Sequence, residues 1–165
     1  MARRLILDIG VLISAERSGK PLPLALDDDV TMAAITAAEL HLGVELADGA
    51  RRLRRQAFVD AILAVVPTED YTADTARIHA RLLAHVRREG KPRGAHDLII
   101  AATALATART VVTTDSSAGF ADLPGVQAIT LPAGSGSARR ATVRRPRPGI
   151  ALPRRSPALP RGASS

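Results

Sequence analysis

The chain has 165 residues, no Cys, no Trp, and only 2 Phe and 1 Tyr. That length suits one domain whose core is built of Ala, Val, Leu and Ile, while the missing Cys excludes disulfides and thiolate metal sites. The formal net charge of +7 is uneven: residues 133–165 hold 8 Arg and no acid, leaving 15 basic against 16 acidic residues before them.

The scarcity of aromatic residues argues against base stacking as a main binding mode. No apolar run reaches the length of a membrane span, so no membrane association is expected. Asp8 and Gly10 interrupt the first apolar run, which is short for a secretory core. The expectation is a cytoplasmic protein.

"RLILD" (4–8) is a first strand, and "VTMAAI" (30–35) is a second. "TAAELHLGVEL" then opens a helix, with Thr36 as N-cap and Glu39 three residues later, the spacing of a capping box. "ARRLRRQAFVDAIL" is a basic amphipathic helix, read either as a solvated face with Leu53, Ala57 and Phe58 turned inward or as a basic face for RNA phosphate or an acidic partner segment, and "AVVP" is a short strand. "TEDYTADTARIHARLLAHVRREG" is a long helix, with Thr68 as cap and Gly90 as stop. "HDLIIAATALATA" is a helix dense in small residues, "TVVTTD" a buried strand and "VQAITL" the last strand. Residues 133–165, rich in Gly, Ser, Pro, Arg and Ala, lack any useful period and read as a disordered tail. The domain boundary falls near Pro132, giving a domain at 1–132.

Alternating strands and helices imply an α/β fold: a three-layer α/β/α sandwich around a mainly parallel sheet of about four to five strands. Ligands of such folds sit beyond the carboxyl ends of the strands. Four acids fall on that edge. Asp8 ends the first strand, and Asp115 follows "TVVTT". Glu39 lies early in the helix after the second strand, and Asp97 opens the helix that leads back to "TVVTT". Each has an ordinary alternative. Glu39 fits a capping box, Asp97 a helix N-terminal acid, and Asp115 a turn acid. Asp8 is the hardest to dismiss, because strand interiors rarely hold unpaired acids.

Converging carboxylates raise one another's pKa, and a divalent cation resolves the conflict. Oxygen-only ligation favours Mg²⁺, with Mn²⁺ as an alternative. Metal-dependent phosphodiester hydrolysis follows.

At these residues the chain resembles the PIN-domain ribonucleases, specifically VapC-like toxins of bacterial type II toxin–antitoxin pairs. The resemblance covers Leu5 to Leu131. "LILDIGVLIS", "ITAAELHLGV", "GKPRGAHDLIIAATAL" and "TVVTTDSSAGFADLPGV" carry its motifs. It implies that Asp8, Glu39, Asp97 and Asp115 are the catalytic, metal-binding quartet, with Thr114 a supporting hydroxyl beside the last acid. It further implies an RNA substrate, a homodimer and a cognate antitoxin that contacts the early helices. The family commonly places Thr or Ser just after the first Asp; here Ile9 and Gly10 stand there. A catalytically weak or inactive RNA- or partner-binding module of the same fold is the alternative.

Other motifs fail. In "RSGKP" the Gly is misplaced and Pro21 stands where a phosphate-binding loop needs Ser or Thr. The four His show no HExxH spacing. His96 neighbours Asp97 on a helix start, points elsewhere, and reads as a supporting or structural residue.

Overall fold

The structure is a computed structural model describing residues 2–19, 21 and 24–132. The tail expected at 133–165 lies outside the described residues.

Among the described residues five strands form one sheet, β1 (Arg4–Leu7), β2 (Asp29–Ala33), β3 (Thr68–Glu69), β4 (Thr110–Thr113) and β5 (Ala128–Thr130). All neighbours run parallel, in the order β3-β2-β1-β4-β5. The central strand, β1, pairs Leu5 with Val30 on one side and with Thr110 on the other. Five α-helices connect and cover the strands: α1 (Ile9–Ser18), α2 (Ala34–Glu45), α3 (Gly49–Val65), α4 (Ala73–Arg88) and α5 (Ala95–Ala106).

Pleating divides the strand residues between two cores. Leu5, Leu7 and Val112 pack with Val11, Leu12, Leu40 and Val59, so α1, α2 and α3 cover one face. Ile6 and Val111 pack with Leu82, Leu98 and Ile100, so α4 and α5 cover the other. A parallel sheet covered on both faces needs continuous apolar runs, which is why "LIL" and "VV" carry no polar alternation. Full burial of each such side chain is worth about 1.5–3 kcal/mol. The expected three-layer α/β/α sandwich is therefore the observed one.

Element boundaries shift in four places. Helix α2 starts at Ala34, straight from β2, with extended Ala33 as its N-cap. Thr36 is therefore an interior residue rather than the cap; its side chain is fully buried, and Oγ1 has no hydrogen-bond partner among the described residues. Helix α3 absorbs the expected "AVVP" strand and stops at Val65, because Pro67 disfavours helix in the residue before it. The Pro67 carbonyl then accepts the Met32 N–H, and β3 begins at Thr68. Thr68 is thus a strand residue, and Thr72 caps α4 by accepting the Thr75 N–H at 3.2 Å. Within α3, Leu53 is 73% exposed instead of turned inward, while Val59 is buried. Ala57 is also exposed, and Phe58 is only partly buried. Arg55 takes the inward direction, donating from Nη1 to the Gly43 carbonyl at 2.7 Å.

Candidate active site

Asp8 directly follows β1 and serves as the N-cap residue of α1, extended in backbone and 6% exposed. Its N–H donates to the Val112 carbonyl, tying it to the end of β4. The Thr113 hydroxyl donates to Asp8 Oδ2 at 2.8 Å. The same Oγ1 accepts the Asp115 N–H at 3.0 Å, so one threonine fixes both strand ends. Asp115 in turn accepts at Oδ1 from the Ser117 N–H (2.8 Å) and Oγ (2.5 Å), capping a 3₁₀ turn at 116–118.

Asp97 stands in the first turn of α5 and folds back over Gly94, where any Cβ would collide with its carboxylate. Glu39, one turn inside α2, accepts at Oε1 from His96 Nδ1 at 2.8 Å. A carboxylate only accepts, so that nitrogen carries the proton.

Electrostatics join these groups. Burial raises the Asp8 carboxyl above the ordinary carboxylate range; the Thr113 hydrogen bond opposes this, and the charges of Asp97 and Glu39 add to it. Burial also raises Asp97, reinforced by Asp115 and Glu39 and opposed by His96 and Arg93. The Arg93 guanidinium lies against Gly119 and donates from Nη2 to Asp122 at 2.9 Å. The structure thus brings all four sequence-expected acids to one sheet edge. Among the described residues, however, no three Asp, Glu or His side chains are arranged to hold a metal ion together. Asp8, Glu39 and Asp115 turn instead to Thr113, His96 and Ser117.

Residues 5–125 match the PIN domain. The chain belongs to the PIN-domain family. This PIN domain is 35% identical over 130 residues to a protein named Ribonuclease VapC5 from Mycobacterium tuberculosis, covering 76% of this chain and 92% of that protein. A protein named Ribonuclease VapC from Rickettsia bellii is 26% identical over 131 residues, covering 78% and 96%. Among solved structures, VapBC-5 of M. tuberculosis, a member of the VapBC family of toxin–antitoxin systems, matches with TM-score 0.64 and 34% identity. The match covers 78% of this chain and 98% of that one. VapBC2 from Rickettsia felis, bound to a promoter DNA fragment, shares the fold with TM-score 0.71 at 22% identity, covering 78% and 98%.

Two residues of this PIN domain's site escaped the sequence reading. Thr113, one residue before the expected Thr114, holds Asp8. The signal was the period of two along β4: Thr113 and Asp115 share a side, and the pairing of Leu7 with Val112 sets Thr113 beside Asp8. Gly94 makes room for Asp97, and nothing in its sequence context announces that role.

Proposed function

We propose that this chain is a VapC-type toxin: a Mg²⁺-dependent endoribonuclease, able to use Mn²⁺, that acts in the cytoplasm and is restrained by a cognate antitoxin. The observation that carries the reading is Asp8. It is buried and raised in pKa, and its hydrogen-bond partners among the described residues are the Thr113 hydroxyl and the Ile9 N–H rather than a cation. A fold holds a buried acid without a countercharge only at a cost, and such perturbed groups mark functional sites.

The donor set is carboxylate oxygen throughout, which suits a hard divalent cation. Asp8 and Asp97 would hold it, with Glu39 and Asp115 completing the set directly or through water. Such an ion supplies Lewis acidity and neutralises charge at the scissile phosphate. Thr113 keeps Asp8 in one rotamer and ties it to the Asp115 backbone. His96 restrains Glu39 at the margin of the site, and Arg93 tempers the charge on Asp97. The relatives named as ribonucleases support RNA as the substrate.

The partner reading rests on the α2–α3 hairpin. Leu42, Leu46 and Leu53 are exposed there, beside exposed Arg51, Arg52 and Arg54. A groove lined by Ile9, Ile13, Leu40 and Phe58 runs up to Glu39. An antitoxin segment with apolar and acidic residues fits this surface.

Purified full-length chain should cleave RNA with Mg²⁺, stop in EDTA, and be inert as Asp97→Asn. Undiminished cleavage by Asp97→Asn would overturn the assignment. The inactive, RNA- or partner-binding reading draws on the separate hydrogen-bond partners of the acids. Salt-sensitive RNA binding by wild type with no turnover would favour it.

A further inference from the structure

Gly10 lies in the first turn of α1, two residues after Asp8. A Cβ there would stand 2.7 Å from Thr114 Oγ1 and 3.7 Å from Asp8 Oδ2. The first distance is shorter than any real Cβ contact, so a side chain at position 10 and the Thr114 hydroxyl compete for one space. The notch beside Asp8 is therefore filled from the end of β4, not from α1. Gly10 is not among the positive-φ glycines, so its backbone does not call for glycine. Glycine also weakens a helical turn relative to alanine. The room given to Thr114 is what position 10 gains in return.

The two adjacent threonines differ in engagement. Thr113 Oγ1 spends its one proton on Asp8 and accepts the Asp115 N–H. Thr114 is partly exposed and flanks the notch; its hydroxyl has no hydrogen-bond partner among the described residues. The four carboxylates can only accept hydrogen bonds when ionised, and a phosphate oxygen can only accept as well. A neutral donor beside Asp8 is what an anionic oxygen needs at this edge.

We propose that Thr114 Oγ1 donates to a non-bridging oxygen of the scissile phosphate, and that Gly10 is glycine so that this hydroxyl reaches it. The proposal rests on the ribonuclease reading and makes Thr114 a catalytic residue, in contact with substrate rather than acting through Asp115.

The test compares Thr114→Val, Thr114→Ser, Gly10→Ser and the double variant Gly10→Ser/Thr114→Ala. RNA cleavage supplies kcat and KM; thermal midpoints control for folding; RNA affinity is measured on the cleavage-disabled Asp97→Asn background. A lost hydrogen bond to a charged oxygen predicts a kcat lowered about 10- to 100-fold in Thr114→Val, with the larger part of the loss in kcat rather than KM. Thr114→Ser recovers most of that loss. Gly10→Ser alone is impaired, because its side chain and that of Thr114 collide and neither hydroxyl settles in the notch. The double variant recovers activity, because the serine hydroxyl now occupies the notch. Full activity in Thr114→Val, beside an active wild type, overturns the proposal and leaves the ribonuclease reading intact. So does equal loss in Thr114→Ser and Thr114→Val, which would mark a packing role. A wild type that cleaves no RNA overturns the ribonuclease reading itself. If Gly10→Ser fails to fold, the valine–serine pair at 114 still decides.

Discussion

The two ends of the sheet treat the same residue type in opposite ways. At the amino end, Arg3 clasps Asp28 with Nε and Nη2, at 2.9 and 2.5 Å, and the Asp28 carboxyl falls to about 2. Asp29 meets Arg109 at 3.0 Å and Arg4 at 3.3 Å, and its carboxyl is also lowered, chiefly by Arg109. At the carboxyl end, Asp8 and Asp97 are raised, by burial first and then by other acids. Arginines meet both acids directly at the amino end, whereas at the carboxyl end Arg93 only partly offsets the rise of Asp97. The direction of shift, more than residue identity, separates the acids that hold the amino end of the sheet together from those proposed to act.

The sharpest way to break this contrast is Asp8→Asn. Cleavage should fall about 10³-fold or more, the scale lost with a principal electrostatic group of a reaction. Stability should move the other way. Because the folded carboxyl sits above its ordinary value of 3.8, ionising it opposes folding. The variant should therefore melt above wild type at neutral pH, with the gap shrinking as pH falls and closing below the ordinary carboxyl range. Asn still offers an oxygen to the Thr113 hydroxyl. Thermal midpoints across pH 3–8 check this, and a lower midpoint at pH 7 would make Asp8 a structural acid.

Arg109→Met attacks the other end. The Arg109 side chain is 6% exposed and reaches the Asp29 carboxylate, the Asp29 carbonyl and Glu69. Its loss strands two acids and a carbonyl near the start of β2, and should cost about 2–3 kcal/mol in urea unfolding, since both acids keep some solvent. Cleavage by the folded fraction should be unchanged.

Asp28→Asn gives the mirror image of Asp8→Asn. With the folded carboxyl at about 2 against 3.8, the stabilisation is fully present above the ordinary value and is lost as pH falls toward about 2. The variant should be less stable than wild type at neutral pH, and the difference should vanish in strong acid. One variant thus converges on wild type from above and the other from below; convergence from the same side would erase the contrast between the ends.

Both ends were unequally legible in the sequence. Asp8, Glu39, Asp97 and Asp115 were readable because a parallel sheet sends every strand end and every returning helix start to one edge. The pairing of Arg3, Arg4 and Arg109 was not, because it depends on the register of β1 against β2 and on a side chain arriving from far along the chain. Thr114 drew attention by its neighbour in sequence, whereas the hydrogen bond to Asp8 comes from Thr113, on the pleat that faces it. Strand cores showed in their apolar runs. Boundaries did not: α2 begins on small residues with no side-chain cap, and α3 runs on until Pro67 ends it.

The smallest effect concerns α4, whose cap the sequence suggests at Thr68 and the structure places at Thr72, four residues later. Thr72 has extended backbone, and its Oγ1 accepts the Thr75 N–H, satisfying one of the orphan donors of the first turn. Thr68 is exposed in β3, and its hydroxyl does no such work. Thr72→Ala should therefore cost about 1 kcal/mol of unfolding free energy, the usual worth of a cap. Thr68→Ala should cost less than about 0.5 kcal/mol, the range of an exposed substitution. Neither should change the pH dependence, because neither group carries charge. A pH-dependent difference at Thr72 would mean that the charges of the site reach this helix start, and the division between a structural and a functional end would not be as sharp as the pKa directions make it.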